Sequence, residues 1–543
     1  MSKQKNLKRS DRGFALIFAM LAMLVLGLLA ATVMFTSQGQ ALTGLNYRLT
    51  TQSRYAAEAG VQSTMNWLAS ASYTAPTVFA SYDMTKNPVQ YLGKAVVLSA
   101  VSGVSSNYPD AAVVTAYGTA MSKSLPGVSN VSYTTYATLL RMSPSGGVSW
   151  LGGGGGGVIQ TWQITAVGAA TGARNASVQV VQTFERTGKP IFNYGLEATG
   201  TGCGAMTFTN GDSTDSYNSS AGVYGGGNVG TQGNIATNGN VNLASSAKIN
   251  GTIAAANNTV GACPGSGLTD GGAGNYSGLS AVSPPLNPPL PWGCASQPCY
   301  PPGTHVTTAQ NVSTSCASVA GCTKNAPPTV AIIDGGSAKT ANAFTLAPGE
   351  YGNISIGSAD VVHVSAGTYN INSINFAQDG QFVVDSGPVV FNLVGNCASG
   401  CPTESGLPSG YPSTEVIYGA GFAGFNACAP SGGTGVVANP DVYGKTTCGP
   451  LKTAYSGIPN NLQVVYGGTA TVRLGGMPNA LALYAPSSSY YTPGAPVGLY
   501  GSAIVKYFND QSGSPFHYDT ALPNTITQVG QYVPVGGFSW SRF

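Results

Sequence analysis

The sequence predicts an α+β, mainly β protein: one long N-terminal transmembrane α-helix, then a β-rich head that includes a parallel β-helix or solenoid. Three observations predict it. Residues 14–35 are apolar or small apart from Thr32, and no charge falls between Arg12 and Arg48. Beyond about residue 70 the composition turns to Gly, Ser, Thr, Asn and Val; charged residues are only 8% of the chain and glycines number 75. Such sequence favours short strands and turns over helices. Glycine-anchored motifs then recur at short, regular spacings, as stacked coils require.

Residues 1–13 hold Lys3, Lys5, Lys8, Arg9 and Arg12 against Asp11, the sign that cytoplasmic flanks of membrane helices favour. The apolar run behind them, at about 1.5 Å per residue, makes a helix of about 33 Å, enough to cross a bilayer core. A secretory signal shares this plan but needs a shorter apolar core and a downstream cleavage site. Residues 30–41 (AATVMFTSQGQA) supply such a site, which makes ordinary signal-peptide cleavage the rival reading. Past the run, Leu42, Leu45 and Leu49 form one apolar stripe and Arg54 and Glu58 stand at i,i+4, so the helix continues to Trp67 or Leu68.

The junction Arg12-Gly13-Phe14 resembles a class III, or prepilin, signal, and RYAAEAG (residues 54–60) resembles the A-x-x-A-E-A-G-like segment of PilX-type minor pilins. The resemblance runs from the start of the chain to the end of the expected helix. It implies a minor pilin or tip-associated subunit of a type IV pilus or related filament. Prepilin peptidase would cut between Gly13 and Phe14 on the cytoplasmic side, Phe14 would be methylated, and residues 14–70 would be retained as a transmembrane and assembly helix that includes Phe18, Arg54, Glu58 and Gly60. The implied partners are other pilins, the pilus assembly machinery and the bacterial inner membrane. The implied location is single-pass in that membrane, N-terminus cytoplasmic, before assembly, and a periplasm-facing or extracellular pilus after it. One position departs from the pattern: the fifth mature residue, Glu in major pilins, is Phe18 here. A carboxylate at that depth is costly unless paired, so Phe18 removes an assembly contact and argues against a major, filament-building subunit; it also leaves open whether the cut at Gly13 proceeds without that Glu. Removing the leader takes away five cations and one anion, leaving 17 basic and 18 acidic residues, a net charge of −1. The basicity of the chain sits in its leader, and no nucleic-acid partner is expected.

The head divides by composition into a β-rich part (71–190), a Gly/Asn-rich solenoid-like part (191–282), a Pro/Cys-rich linker (283–340) and a β-helix-like C-terminal part (341–543). In the first, residues 96–104, 111–120 and 132–140 read as strands, followed past the glycine run 152–157 by TWQITAVGAA and ASVQVVQTFER. That run lacks the Lys-Ser/Thr of a phosphate loop and reads as a flexible hairpin or linker. In the second part, Gly-Asn-Val or Gly-Asn-Ile begins at Gly227, Gly233 and Gly239, one aliphatic residue every six, which resembles a parallel β-helix or bactofilin-like solenoid. SPPLNPPLPWG and YPPG in the linker cannot join a sheet interior. In the last part, Gly349, Tyr351 and Ile356 are echoed by Gly367, Tyr369 and Ile374 at an offset of 18, and Gly387 follows by another 20. Each unit is about one coil. LALYAP and SPFHYDTAL near the end look like the domain often found behind PilX-type N termini.

All ten cysteines, an even number, lie between Cys203 and Cys448, on the side of the membrane where disulfides persist. Proximity pairs Cys294 with Cys299, Cys316 with Cys322 and Cys397 with Cys401, and by the same criterion Cys203 with Cys263 and Cys428 with Cys448; the connectivity stays open. No spacing is C-x-x-C and only His305 lies near the linker cysteines, so neither a metal nor a cofactor is expected. Glu350, Asp360, Asp379 and Asp385 with His363 offer no paired acid and base. His517 beside Asp519 reads as a hydrogen-bonded structural pair, and no G-x-S-x-G motif accompanies it. The chain is therefore expected to act by assembly and surface recognition, with a surface or glycan ligand for its uncharged Ser/Thr/Asn/Tyr-rich head. The alternative is a membrane-tethered or secreted β-helix protein acting on polysaccharide.

Overall fold

A computed structural model of the chain describes residues 11–543 except 71, 74, 77, 129, 145–147, 149, 152–157, 173, 223, 260, 262–274, 326–330, 335–336, 341, 359, 379, 399, 422, 427–457, 477–478, 493–497, 537 and 543. The glycine run 152–157 lies outside the described residues, as does most of the leader. Two compact units result. The first takes Met1–Ser143, Val158–Thr187 and Gly530–Phe543; the second takes Pro144–Gly157 and Gly188–Val529.

In the first unit, residues rich in Leu, Ala and Met and free of proline build one helix, α1 (Asp11–Leu68). A second helix, α2 (Ala111–Ala120), stands where the sequence reads as a strand. The reason is local. The Asp110 carboxylate accepts from Ala112 N at 2.8 Å and Val113 N at 3.3 Å, an N-cap that supplies partners for the otherwise orphaned first-turn donors. Val113 and Tyr117, four apart, are the buried pair that this cap places on one face. Strands Val131–Pro144, Val158–Ala170 and Ala176–Pro190 form the middle of an antiparallel sheet, with Val97–Ser99 and Ser122–Ser124 on Val131–Pro144. The chain returns to this sheet near its C-terminus: Thr527–Pro534 and Ser539–Arg542 both join Ala176–Pro190. Trp162 is the largest fully buried side chain of this core; Tyr73 meets it edge-on and tilts against Trp67, which in turn meets Tyr117 edge-on.

The second unit is a parallel β-helix. Ala343–Leu346, Val361–Val364, Gln381–Val384 and Gly424–Asn426 stack in parallel as one row. Gly349–Ile356, Gly367–Phe376, Val389–Leu393, Leu462–Tyr466, Asn479–Thr492 and Leu499–Asp510 stack as another. Inward residues of successive coils meet like with like: Phe382 lies on Phe425 with ring centroids 5.9 Å apart and 4° between planes, and Tyr490 on Phe508 at 5.2 Å. The stack does not end with the chain. Leu499–Asp510 is followed in space by Leu196–Phe208, then Ile235–Leu243, Lys248–Ala255 and Tyr276–Ser280, all parallel. The Gly/Asn-rich segment and the C-terminal coils are thus one solenoid, in which the earliest coils lie beyond the last.

The repeats take a physical meaning here. Ile235 and Val241, six apart, sit on one strand but pair with Leu196 and Met206, so a period of six spans one face of a coil. Ile235 meets its counterpart on the next coil at Ile253. Val229, from the first of the three motifs, is 46% exposed and belongs to no coil core. The offset of 18 read from Gly349 and Gly367 holds for Ala343 on Val361. In the neighbouring ladder it is replaced by 20, with Gly349 on Tyr369 and Tyr351 on Ile371. A slip of two keeps every side chain on its own face, and the Tyr351 and Tyr369 rings still stack at 6.3 Å.

Strand alternation also produces an outward row, running Glu350, Asn370, Asn392, Val465, Tyr484, Ile504, Glu197, Ala236, Ala254 in register. The proline-rich segment lies along it as a strap that connects the coil ending at Ser280 with the one beginning at Ala309. Asn238 and Leu286 exchange two hydrogen bonds of 2.7 Å, Tyr484 OH donates to Pro289 O at 2.5 Å, Gln297 donates to Gly467 O, and Asn353 Nδ2 donates to Thr307 O at 2.7 Å. Prolines cannot donate to a ladder, so the strap is fastened by side chains.

Candidate functional site

Helix α1 changes character along its length. From Phe14 (66% exposed) to Phe35 (73%) its apolar side chains face outward, and among the described residues it is the one helix long and apolar enough to cross a membrane. Gly13 lies within the helix, and the rings of Phe14 and Phe18 sit 5.0 Å apart on the exposed surface. Of the leucine stripe, Leu42 is still exposed, while Leu45 and Leu49 pack with Val131, Tyr133 and Ala170.

Past that point the helix lies on the sheet, and its small residues have a cause. A Cβ on Gly168 would fall 2.0 Å from Ser53 O and 2.5 Å from Ala57 N, so helix and strand backbones touch there. Ala56 and Ala57 are fully buried. A Cβ on Gly60 would stand 2.9 Å from the Tyr133 ring. Ser53 Oγ donates to Ala176 O at 2.9 Å, and Thr64 Oγ1 and Thr135 Oγ1 are 2.9 Å apart. On the other side of the helix Arg54 Nε meets Glu58 Oε1 at 2.8 Å, with the guanidinium 5.7 Å from the Trp540 ring centroid. Sequence reasoning missed Ser53 and Gly168. An isolated glycine inside a strand pattern signals close backbone approach, and Gly168 in TWQITAVGAA is such a glycine.

In the second unit, Cys294–Cys299, Cys316–Cys322 and Cys397–Cys401 are bridged. Cys203 is disulfide-bonded as well; Cys263, Cys428 and Cys448 lie outside the described residues, as does Asp379. The carboxylates of the C-terminal repeats that the sequence singles out are dispersed. Glu350 takes Asn370 and His305 (3.4 Å), Asp360 accepts from Asn342 N and Nδ2, and His363 Nδ1 is 2.8 Å from Asp385. His517 pairs with a residue other than its sequence neighbour. Its Nδ1 lies 2.6 Å from Asp215 Oδ1 on the adjacent strand, while Asp519 accepts from Ser219 and Ala521. The imidazole is flanked by Tyr224 and Tyr500 at 4.0 and 4.4 Å. Among the described residues no group of three or more His, Cys, Asp or Glu could hold a metal ion.

Residues 12–62, the stretch in which an outward apolar helix becomes a sheet-packed one, match the PilX N-terminal family. The N-terminal region is pilin-like, of the PilX type. Among solved structures, the competence-associated pilin ComZ from Thermus thermophilus aligns with a TM-score of 0.25 and 12% identity, covering 91% of this chain and 97% of that one. That likeness is too loose to bear on role. No curated protein matches the sequence. Within the PilX-type region, Ser53, Ala57 and Gly60 are positions at which strand residues come close to the helix.

Proposed function

We propose that the chain is a minor pilin or tip-associated subunit of a type IV pilus or related filament. Prepilin peptidase cuts after Gly13, Phe14 becomes the methylated N-terminus, and the helix holds the subunit in the inner membrane until assembly with other pilins. The second unit, stapled by disulfides, is the cargo displayed for adhesion or recognition. The chain acts by assembly and contact, without turnover. One observation carries this reading: the PilX-type match spans residues 12–62, and the apolar part of that helix is exposed from Phe14 to Phe35. An apolar surface of that length needs lipid or neighbouring helices. Phe18, 59% exposed, presents an aromatic ring where a filament-building subunit would present a carboxylate.

Mass spectrometry of the mature chain from its producing cell tests the proposal. A methylated N-terminal Phe14 is the expected result; a start near Gln40 would overturn it.

A further inference from the structure

The outward row of the solenoid holds one carboxylate under the proline strap, Glu197. It is 6% exposed, and its neighbours Leu196 and Ala198 point into the core. Below it the row continues with Ala236 and Ala254, both buried. Side chains that small do not reach the strap, and residues 280–289 bridge over the gap. The result is a cavity of about 380 Å³, whose walls include Glu197, Lys189, Tyr194, Tyr484, Ala254 and Leu286. That volume falls within the range of about 300–1,000 Å³ typical of small-ligand sites.

The chemistry of the walls is mixed. Burial pushes the Glu197 carboxyl up to about 7 against the opposing pull of Lys189. A carboxylate taken largely out of water is costly, so a ligand that donates to it from the cavity offsets part of that cost. Lys189, exposed at the rim, offers three donors of its own. With one anion and one cation facing the space, neither a free cation nor a free anion is favoured. Tyr484 and Tyr194 add aromatic surface. A neutral ring carrying several hydroxyls meets all of these at once: it donates to Glu197, accepts from Lys189 and lays its C–H face against a tyrosine.

We propose that the strap cavity of the second unit is a binding site for a neutral monosaccharide-sized polyol, held by Glu197 and Lys189. This deepens the recognition role proposed above and fails separately from it: correct processing at Phe14 without sugar binding would remove only this site.

Isothermal titration calorimetry of the full chain in detergent micelles, with D-glucose, D-galactose, D-mannose and N-acetyl-D-glucosamine as probes, tests it. At least one sugar should bind in the millimolar range. Ala254→Leu, which fills the cavity, and Glu197→Gln, which removes the charge but keeps the shape, should each weaken that binding about tenfold or more. Thermal melting identifies any variant that fails to fold, and the other then decides. Absence of binding by all four sugars, unchanged binding in a folded variant, or preferential binding of choline would each overturn the assignment.

Discussion

Asp212 and Asp510 are buried against each other at the coil where the last strands meet the first. Asp212 accepts from Ser514 N at 2.7 Å and from Thr209 N; Asp510 takes Ser512 N at 2.9 Å, Ser512 Oγ at 2.6 Å and Thr492 Oγ1. Two carboxylates this close cannot both ionise cheaply. Burial first, and then Asp510, push Asp212 up to about 9; burial pushes Glu415 up to about 8 although Arg473 pulls the other way. A raised folded value means the folded chain keeps protons that the unfolded chain has released. The stability these groups contribute is therefore full below their unfolded range near 4 and is lost as pH climbs through about 8 to 9. The denaturant midpoint of the second unit should fall between about pH 5 and about pH 9, and Asp212→Asn should flatten the decline. A midpoint that rises over the same interval would refute the retained proton on Asp212. Gly168 makes a second prediction. Its missing Cβ leaves room for Ser53 O, so Gly168→Ala should destabilise the first unit by about 2 kcal/mol or more. Gly44→Ala, where nothing lies within 4 Å of the new carbon, should be neutral or slightly stabilising in the same melt.

At the scale of single elements, what is legible follows sequence distance. Helix α1 announces itself through its apolar run and through Arg54 and Glu58 four apart, and three disulfides join cysteines separated by only four to six positions. The coils announce themselves through spaced glycines and aliphatics, because each coil repeats the corner of the one before. Helix α2 reads as a strand because AAVVTAYGTA has strand-like composition, and composition is a weaker signal than the single carboxylate at Asp110 that ends the preceding loop. Asp110→Ala should accordingly lower the stability of the first unit by about 1 kcal/mol, measured by thermal melting with Asp110→Asn as the control that keeps the cap. Glu197, the residue on which the cavity turns, carries no sequence signal at all. Its meaning comes from Ile504 and Ala236 on the strands beside it. Ile504 belongs to the far end of the chain, and no local pattern encodes a partner so distant.

At the scale of the whole molecule, the first unit begins the chain and also ends it. The chain leaves it after Ser143, rejoins it at Val158, leaves again after Thr187 and returns at Gly530. Tyr532 is buried in the first core, its hydroxyl 3.3 Å from Gln160 Oε1, and Ser539–Arg542 pairs with Val178–Val181. Residues 530–543 are therefore part of the fold that carries the PilX-type helix, whereas composition assigns everything beyond 341 to one C-terminal block. The two ways of removing the head should differ. A chain ending at Val529 loses a buried tyrosine and two strands, and burying a large aromatic is worth about 2–3 kcal/mol by itself; such a chain should melt well below the wild type or fail to fold. Excision of Gly188–Val529 with a short Gly/Ser bridge keeps them. Strand Thr527–Pro534 lies beside Ala176–Pro190, so the cut ends are neighbours and closing so short a loop is entropically mild. Trp67, Trp162 and Trp540 report on the first unit by fluorescence. A cooperative melt near the wild-type first transition is expected for the excised chain and a loss of that transition for the truncated one. Equal behaviour of the two would mean that the C-terminal strands contribute nothing to the first unit. The excised chain is also the one to use in a surface-attachment assay, because it separates loss of the second unit from loss of the first.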